Sequence, residues 1–127
     1  MTKVAMIRCE KNLEKCPQTS CFAAMMGRKE GFQIYSNDCI PAGVFVCHCP
    51  GDDTVEKANI LKNKGAEAIH FCTCTFATKG DDGWDMKKGG FCDRIDAIIE
   101  KVHQTTGLPC VKGTAHLPEG YSIQKWG

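Results

Sequence analysis

Four short apolar runs, separated by stretches of helical period, set out the plan of this chain. Val4-Ala5-Met6-Ile7, Gly43-Val44-Phe45-Val46, Ala68-Ile69-His70-Phe71 and Leu108-Pro109-Cys110-Val111 read as four strands. Ser20 is placed to cap a first helix carrying Phe22, Met25 and Met26 on one face and fading near Gly31. Asp53 followed by Glu56 resembles a capping box, opening a second helix that turns Val55, Ala58 and Leu61 inward and stops at Gly65. A third helix is predicted from about Phe91 to Thr106, because Ile95, Ile98, Ile99 and Val102 keep the spacing of a buried stripe. Residues 77–90 read as a polar loop around Trp84, and the tail from Leu117 to Gly127 as irregular.

Strands alternating with helices predict an α/β fold, a parallel sheet with helices on both faces. Right-handed crossovers make a three-layer, flavodoxin-like, four-stranded sheet of order 2-1-3-4 the simplest topology. Ligands of such sheets bind beyond the carboxyl ends of the strands, where the strand order reverses. A length of 127 residues fits one domain, 1–127.

Charge narrows the partners. Sixteen basic against fifteen acidic residues, with neither sign in a long run, argue against nucleic acid or an anionic membrane. No apolar stretch is long enough for a membrane span. Met1-Thr2-Lys3-Val4 lacks the apolar core of a secretory signal, so the expected location is cytoplasmic. Protein partners and oligomeric state are left open.

The cysteines change the picture most. There are ten, and in a reducing compartment they point to metal or redox chemistry rather than structural disulfides. Cys9 follows the first strand, Cys47 and Cys49 close the second, and Cys72 and Cys74 close the third. Parallel strands would bring all of these to one edge. Residues i and i+2 of a strand point the same way, so each Cys-x-Cys pair can aim two sulfurs at one ion. Cys16 and Cys21 lie in the loop after strand one and at the start of helix one, and Cys92 near the start of helix three. A thiolate at a helix N-terminus is stabilised by the free N–H groups there. His116, after strand four, adds an imidazole at the same rim. Cys39 and Cys110 fall at the opposite end and are expected to have no role; His70 and His103 read as structural.

Other chemistries lack their residues. A Cys-x5-Arg phosphate cradle would need arginine at Lys15 or Phe22. There is neither a P-loop lysine motif nor a dinucleotide glycine fingerprint.

Ile7-Arg8-Cys9-Glu10, Cys16-Pro17, Cys21-Phe22, Cys49-Pro50-Gly51, Gly65-Ala66-Glu67-Ala68-Ile69-His70 and Gly113-Thr114-Ala115-His116 together resemble the CGGC-domain family. The resemblance runs from Val4 to His116. It implies a metal-binding protein using its cysteines and histidines, zinc being the usual assignment for the family. The motif that names the family is altered: Val46-Cys47-His48-Cys49-Pro50-Gly51 stands where Cys-Gly-Gly-Cys-Pro-Gly is expected. Cys49 matches the second cysteine, and histidine replaces the two glycines and their backbone freedom.

The expected metal ligands are therefore Cys9, Cys16, Cys21, Cys47, Cys49, Cys72, Cys74, Cys92 and His116. One zinc takes four ligands, so eight thiols at one place favour an iron–sulfur cluster over Zn2+. Electron transfer, sensing and metal delivery all suit such a centre, and whether there is catalysis is left open. The alternative is a metal-free thiol/disulfide oxidoreductase using Cys9 or Cys21 as nucleophile.

Overall fold

The computed structural model describes all residues, 1–127. Its central element is strand β1 (Thr2–Cys9), flanked by β2 (Cys39–Cys47) and β3 (Ala68–Phe71), both parallel to it. Beyond β3 lies β6 (Cys110–Lys112), also parallel, and then β7 (Gln124–Trp126), antiparallel. The order β2-β1-β3-β6-β7 corrects the four-stranded parallel expectation. The tail does not stay irregular, because the free edge of β6 takes up Gln124–Trp126, with Trp126 opposite Cys110. Residues 77–90 are not simply a loop either. They hold a small hairpin, β4 (Thr78–Gly80) and β5 (Gly83–Asp85).

Helices cover both faces. On one, α2 (Thr54–Asn63) and α3 (Ile95–Thr106) pack Ala58, Leu61, Ile95, Ile98, Ile99 and Val102 against Ala5, Ile7, Ile69 and Phe71 of the sheet. On the other, α1 (Thr19–Gly27) sets Cys21, Ala24 and Met25 against Val4 and Met6, with Phe32 beside them. Val4 to Ile7 are all buried, as an inner strand covered on two sides requires. Ile99 and Val102 are fully buried, each contributing about 1.5–3 kcal/mol by removing apolar surface from water.

The helix ends differ from expectation in ways that move the cysteines. Helix α1 starts at Thr19 behind Gln18, whose backbone is left-handed, and it closes at Arg28, also left-handed. Cys21 is therefore its third residue, and Met26 faces solvent while Cys21 and Ala24 take the buried side. Asp53 does precede α2, yet its carboxylate pairs with Lys57 at 2.9 Å instead of capping the helix. Helix α3 begins at Ile95, so Cys92 lies three residues outside it and off its N-terminus. That segment is held elsewhere: the Phe91 and Cys92 amides donate to the Cys74 and Thr75 carbonyls.

Gly90 makes this approach feasible. A Cβ there would come within 2.5 Å of the Phe76 nitrogen and closer still to the Cys74 carbonyl oxygen.

Candidate functional site

The sheet sorts the rim cysteines by parity. Cys9 and Cys47 end adjacent strands and are register partners. They continue the alternation of Ala5 and Ile7, so they emerge on the α2/α3 face. Cys72 follows Phe71, whose side chain belongs to that face, and so turns to the α1 face beside Cys21. A single rim thus opens into two cavities, one on each side, and Gly90 and Phe91 line both.

The first cavity, about 300 Å³, is lined by Cys9, Cys47, Cys49 and Cys92, with Ile7, Phe71, Ile95 and Ile98 as apolar wall. Burial pushes the Cys9 thiol up, the Lys11 amide opposes it, and the neighbouring Cys49 and Cys92 add to the rise. Burial also pushes Cys47 up, reinforced by Cys92, Asp53 and Cys9. The thiols around Cys9 and Cys47 thus add to their cost of ionisation, a burden that a cation among them removes. Cys49 is exposed, and its amide donates to Glu10 Oε2 at 2.5 Å.

The second cavity, about 480 Å³, is lined by Cys16, Cys21, Cys72, Cys74, Trp84 and His116 among others. Cys21 Sγ lies 3.1 Å from Thr114 Oγ1, and the Gln18 side-chain amide donates to Cys72 Sγ at 3.6 Å. A hydrogen bond from Cys72 draws Cys21 down to about 6 against the effect of burial, helped by Thr114, the Ala115 amide and the Arg8 charge. Cys72 moves the other way, well above the usual thiol value, first because it gives that hydrogen bond and then because it is buried. Burial carries Cys74 to about 11.

Arg8 shapes this side as well. Its guanidinium donates to the Asn12 and Cys16 carbonyls at 3.0 and 2.6 Å and to Gln18 Oε1 at 3.4 Å, folding the loop after β1 back on itself. The indole of Trp84 stacks on His116, ring centroids 4.9 Å apart and 3° from parallel. The hairpin thereby walls the cavity, which corrects the expectation of a solvated polar loop over 77–90.

All nine expected ligands line a cavity, but not the same one: Cys9, Cys47, Cys49 and Cys92 take the first, and Cys16, Cys21, Cys72, Cys74 and His116 the second. As the side chains stand, no three Cys, His, Asp or Glu groups are close enough to hold an ion. Cys39 and Cys110 lie buried at the amino ends of β2 and β6, away from both cavities. Burial raises Cys110 to about 12. His70 is core: it stacks on Phe32, and its ring nitrogens meet Gly113 O at 2.8 Å and Tyr35 Oη at 2.7 Å. Gln18, Thr114 and Arg8 were missed. Their only signal was adjacency, Gln18 between two cysteines and Thr114 beside His116.

A mostly parallel α/β sheet with two cysteine-lined cavities at its carboxyl rim defines a cysteine-rich α/β protein. The CGGC-domain model matches residues 3–115, and the chain belongs to the CGGC-domain family. It is similar to an uncharacterized protein of Methanocaldococcus jannaschii, 32% identical over 120 residues that cover 88% of this chain and 85% of that one. No solved structure matches it. No helix is long and apolar enough to cross a membrane.

Proposed function

We propose that this chain is a metal-binding protein whose centre is held by Cys9, Cys47, Cys49 and Cys92. The observation that carries the proposal is that these four cysteines, from the ends of β1 and β2, the turn after β2 and the segment before α3, line one cavity. The donor set fits a soft metal: four sulfurs, of which Cys9 and Cys47 are held back from ionising partly by their neighbours. Binding would draw the four together from their present separations. Four thiolates close the tetrahedron of a zinc ion or ligate an iron–sulfur cluster, which would supply one-electron chemistry. The case for a cluster rested on eight thiols in one place; with four per cavity, either centre uses its whole set. Cys49 at the surface supports exchange of electrons or metal with a partner.

The neighbouring strands β2, β1, β3 and β6 support a flavodoxin-like reading of one domain, and ten free thiols suit a reducing, cytoplasmic setting. The test is to purify the protein without oxygen and measure iron, acid-labile sulfide and zinc per chain. Iron with matching sulfide identifies a cluster, and zinc alone a closed tetrathiolate. Cys9→Ser and Cys47→Ser should lose the metal, and Cys39→Ser and Cys110→Ser should keep it. Absence of both metals overturns the proposal.

A further inference from the structure

The centre proposed above leaves the second cavity unused, and that cavity holds a different arrangement. Two thiols from separate elements, Cys21 in the first turn of α1 and Cys72 just past β3, pack in one buried cluster and line the same cavity, and Cys21 Sγ lies 3.1 Å from the Thr114 hydroxyl. That hydroxyl is fixed in turn, because Thr73 and Thr114 exchange hydrogen bonds, backbone amide to side-chain oxygen in each direction, at 3.3 and 3.0 Å. Both line the cavity, Cys21 the more open at 9% exposure against 2% for Cys72. A more accessible thiol backed by a covered one is the arrangement a two-step exchange requires.

We propose that Cys21 and Cys72 form a thiol–disulfide redox pair that reduces small, anionic disulfides entering the second cavity. Cys21 thiolate attacks one sulfur of the substrate; its S–S bond breaks and the first half leaves as a thiolate. Cys72 then attacks Cys21 Sγ, the mixed disulfide breaks, and the Cys72 proton goes to the second departing thiolate. Two electrons pass from the protein to the substrate, leaving a Cys21–Cys72 disulfide, one substrate thiol and one substrate thiolate, which takes its proton from water. An external dithiol restores the reduced pair.

The cavity sets the substrate class. Its volume, about 480 Å³, admits a low-molecular-weight disulfide. The stacked Trp84–His116 pair offers a flat wall, and Lys79 is the single permanently charged side chain of the lining. Arg8 adds positive potential at Cys21 from behind. Both charges favour an anionic substrate.

The inference is independent of the metal reading, and one experiment separates them. Reduced protein, prepared without oxygen and with its metal content measured, is treated with dithiodipropionate or with cystamine and mapped by peptide mass spectrometry. The wild type should acquire a Cys21–Cys72 disulfide, and Cys72→Ser should stop at a mixed disulfide on Cys21. The anionic probe should react about threefold faster than the cationic one, the scale of one exposed charge pair, and Lys79→Ala should reduce that preference. If Cys72→Ser does not fold, wild-type mapping and Cys21→Ser, which should form neither product, still decide. Probe adducts scattered over Cys49 and other thiols without a Cys21–Cys72 link overturn the redox pair, and equal rates for the two probes overturn the anionic substrate. Cys21→Ser should retain the metal and Cys9→Ser the disulfide; loss of metal in Cys21→Ser would make the pair ligands and sink the inference.

Discussion

The two faces of the sheet receive the same residue type and treat it differently. On the α2/α3 side, Cys9 and Cys47 sit against apolar walls, and burial dominates, holding their thiols protonated. On the α1 side Cys21 is just as covered, yet it is drawn down to about 6 because Cys72, Thr114 and the Ala115 amide all donate to it. Burial alone therefore does not set a thiol's chemistry; the donors that accompany it do. The first cavity thus suits the proposed metal centre, and the second the proposed redox pair.

Gly90 lines both cavities and lets its segment pack against the backbone of Cys74 and Phe76, so the strongest way to break the comparison is to fill it. Gly90→Val would drive a side chain into the backbone of Cys74 and Phe76. Overpacking against backbone that cannot rotate away should cost about 3 kcal/mol, the upper end of the usual range. We expect a lowered urea midpoint together with damage to both cavities. An unchanged midpoint would mean that the 90–92 segment is not held against Cys74 and Thr75.

The next effect is a pH dependence rooted beneath the second cavity. Burial lowers His70 from 6.5 to about 4, outweighing its hydrogen bond to Gly113. The unfolded chain then binds more protons than the folded one between those values. This contribution is fully present above about pH 6.5 and drains as pH falls toward 4, about 3 kcal/mol in all. Carboxylates titrate in the same range, so the measurement is the difference between wild type and His70→Gln in urea midpoints at pH 6.5 and 4. The variant should show the flatter profile, and parallel profiles would contradict a neutral buried imidazole.

A smaller change separates donor from burial at Cys21. Thr114→Val removes one hydroxyl donor while keeping the volume. A hydrogen bond to a charged group is worth about 1.5–3 kcal/mol, so the midpoint for alkylation of Cys21 should rise from about 6 by about one pH unit or more. Quantitative iodoacetamide labelling of the Cys21 peptide across pH checks this. Cys9 in the other cavity should be unaffected.

How much of this was legible in the sequence depends on range. The apolar runs at Val4, Val44 and Ala68 and the stripe Ile95, Ile98, Ile99, Val102 located the strands and α3, because burial on two faces or on one stripe leaves a periodic trace. Strand β7 left none: Gln124-Lys125-Trp126 is polar and pairs only because β6 has a free edge. The rim was legible because strand ends are local. The division of its thiols was not, since it turns on whether Cys72 falls one residue past Phe71 in a strand that alternates faces. Cys92 was misplaced for a similar reason, its segment being fixed by hydrogen bonds to Cys74 and Thr75 rather than by helix α3.

The least effect expected concerns Trp84, and it asks whether the hairpin belongs to the cavity or merely lies near it. Trp84 is half-buried and stacked on His116, while Lys79 and Thr78 of the same hairpin are exposed. A stacked aromatic pair contributes about 0.5–1.5 kcal/mol beyond the area it covers, so Trp84→Ala should lose about 1 kcal/mol of stacking on top of the area it uncovers. Trp84→Phe keeps a flat ring over the imidazole and should recover most of that loss, whereas Trp84→Leu should recover the burial but not the stacking. If leucine and phenylalanine restore stability equally, the wall of the second cavity is held by area alone. If phenylalanine is the better of the two, the parallel rings are what ties the hairpin to His116, and the two cavities differ in their walls as well as in their thiols.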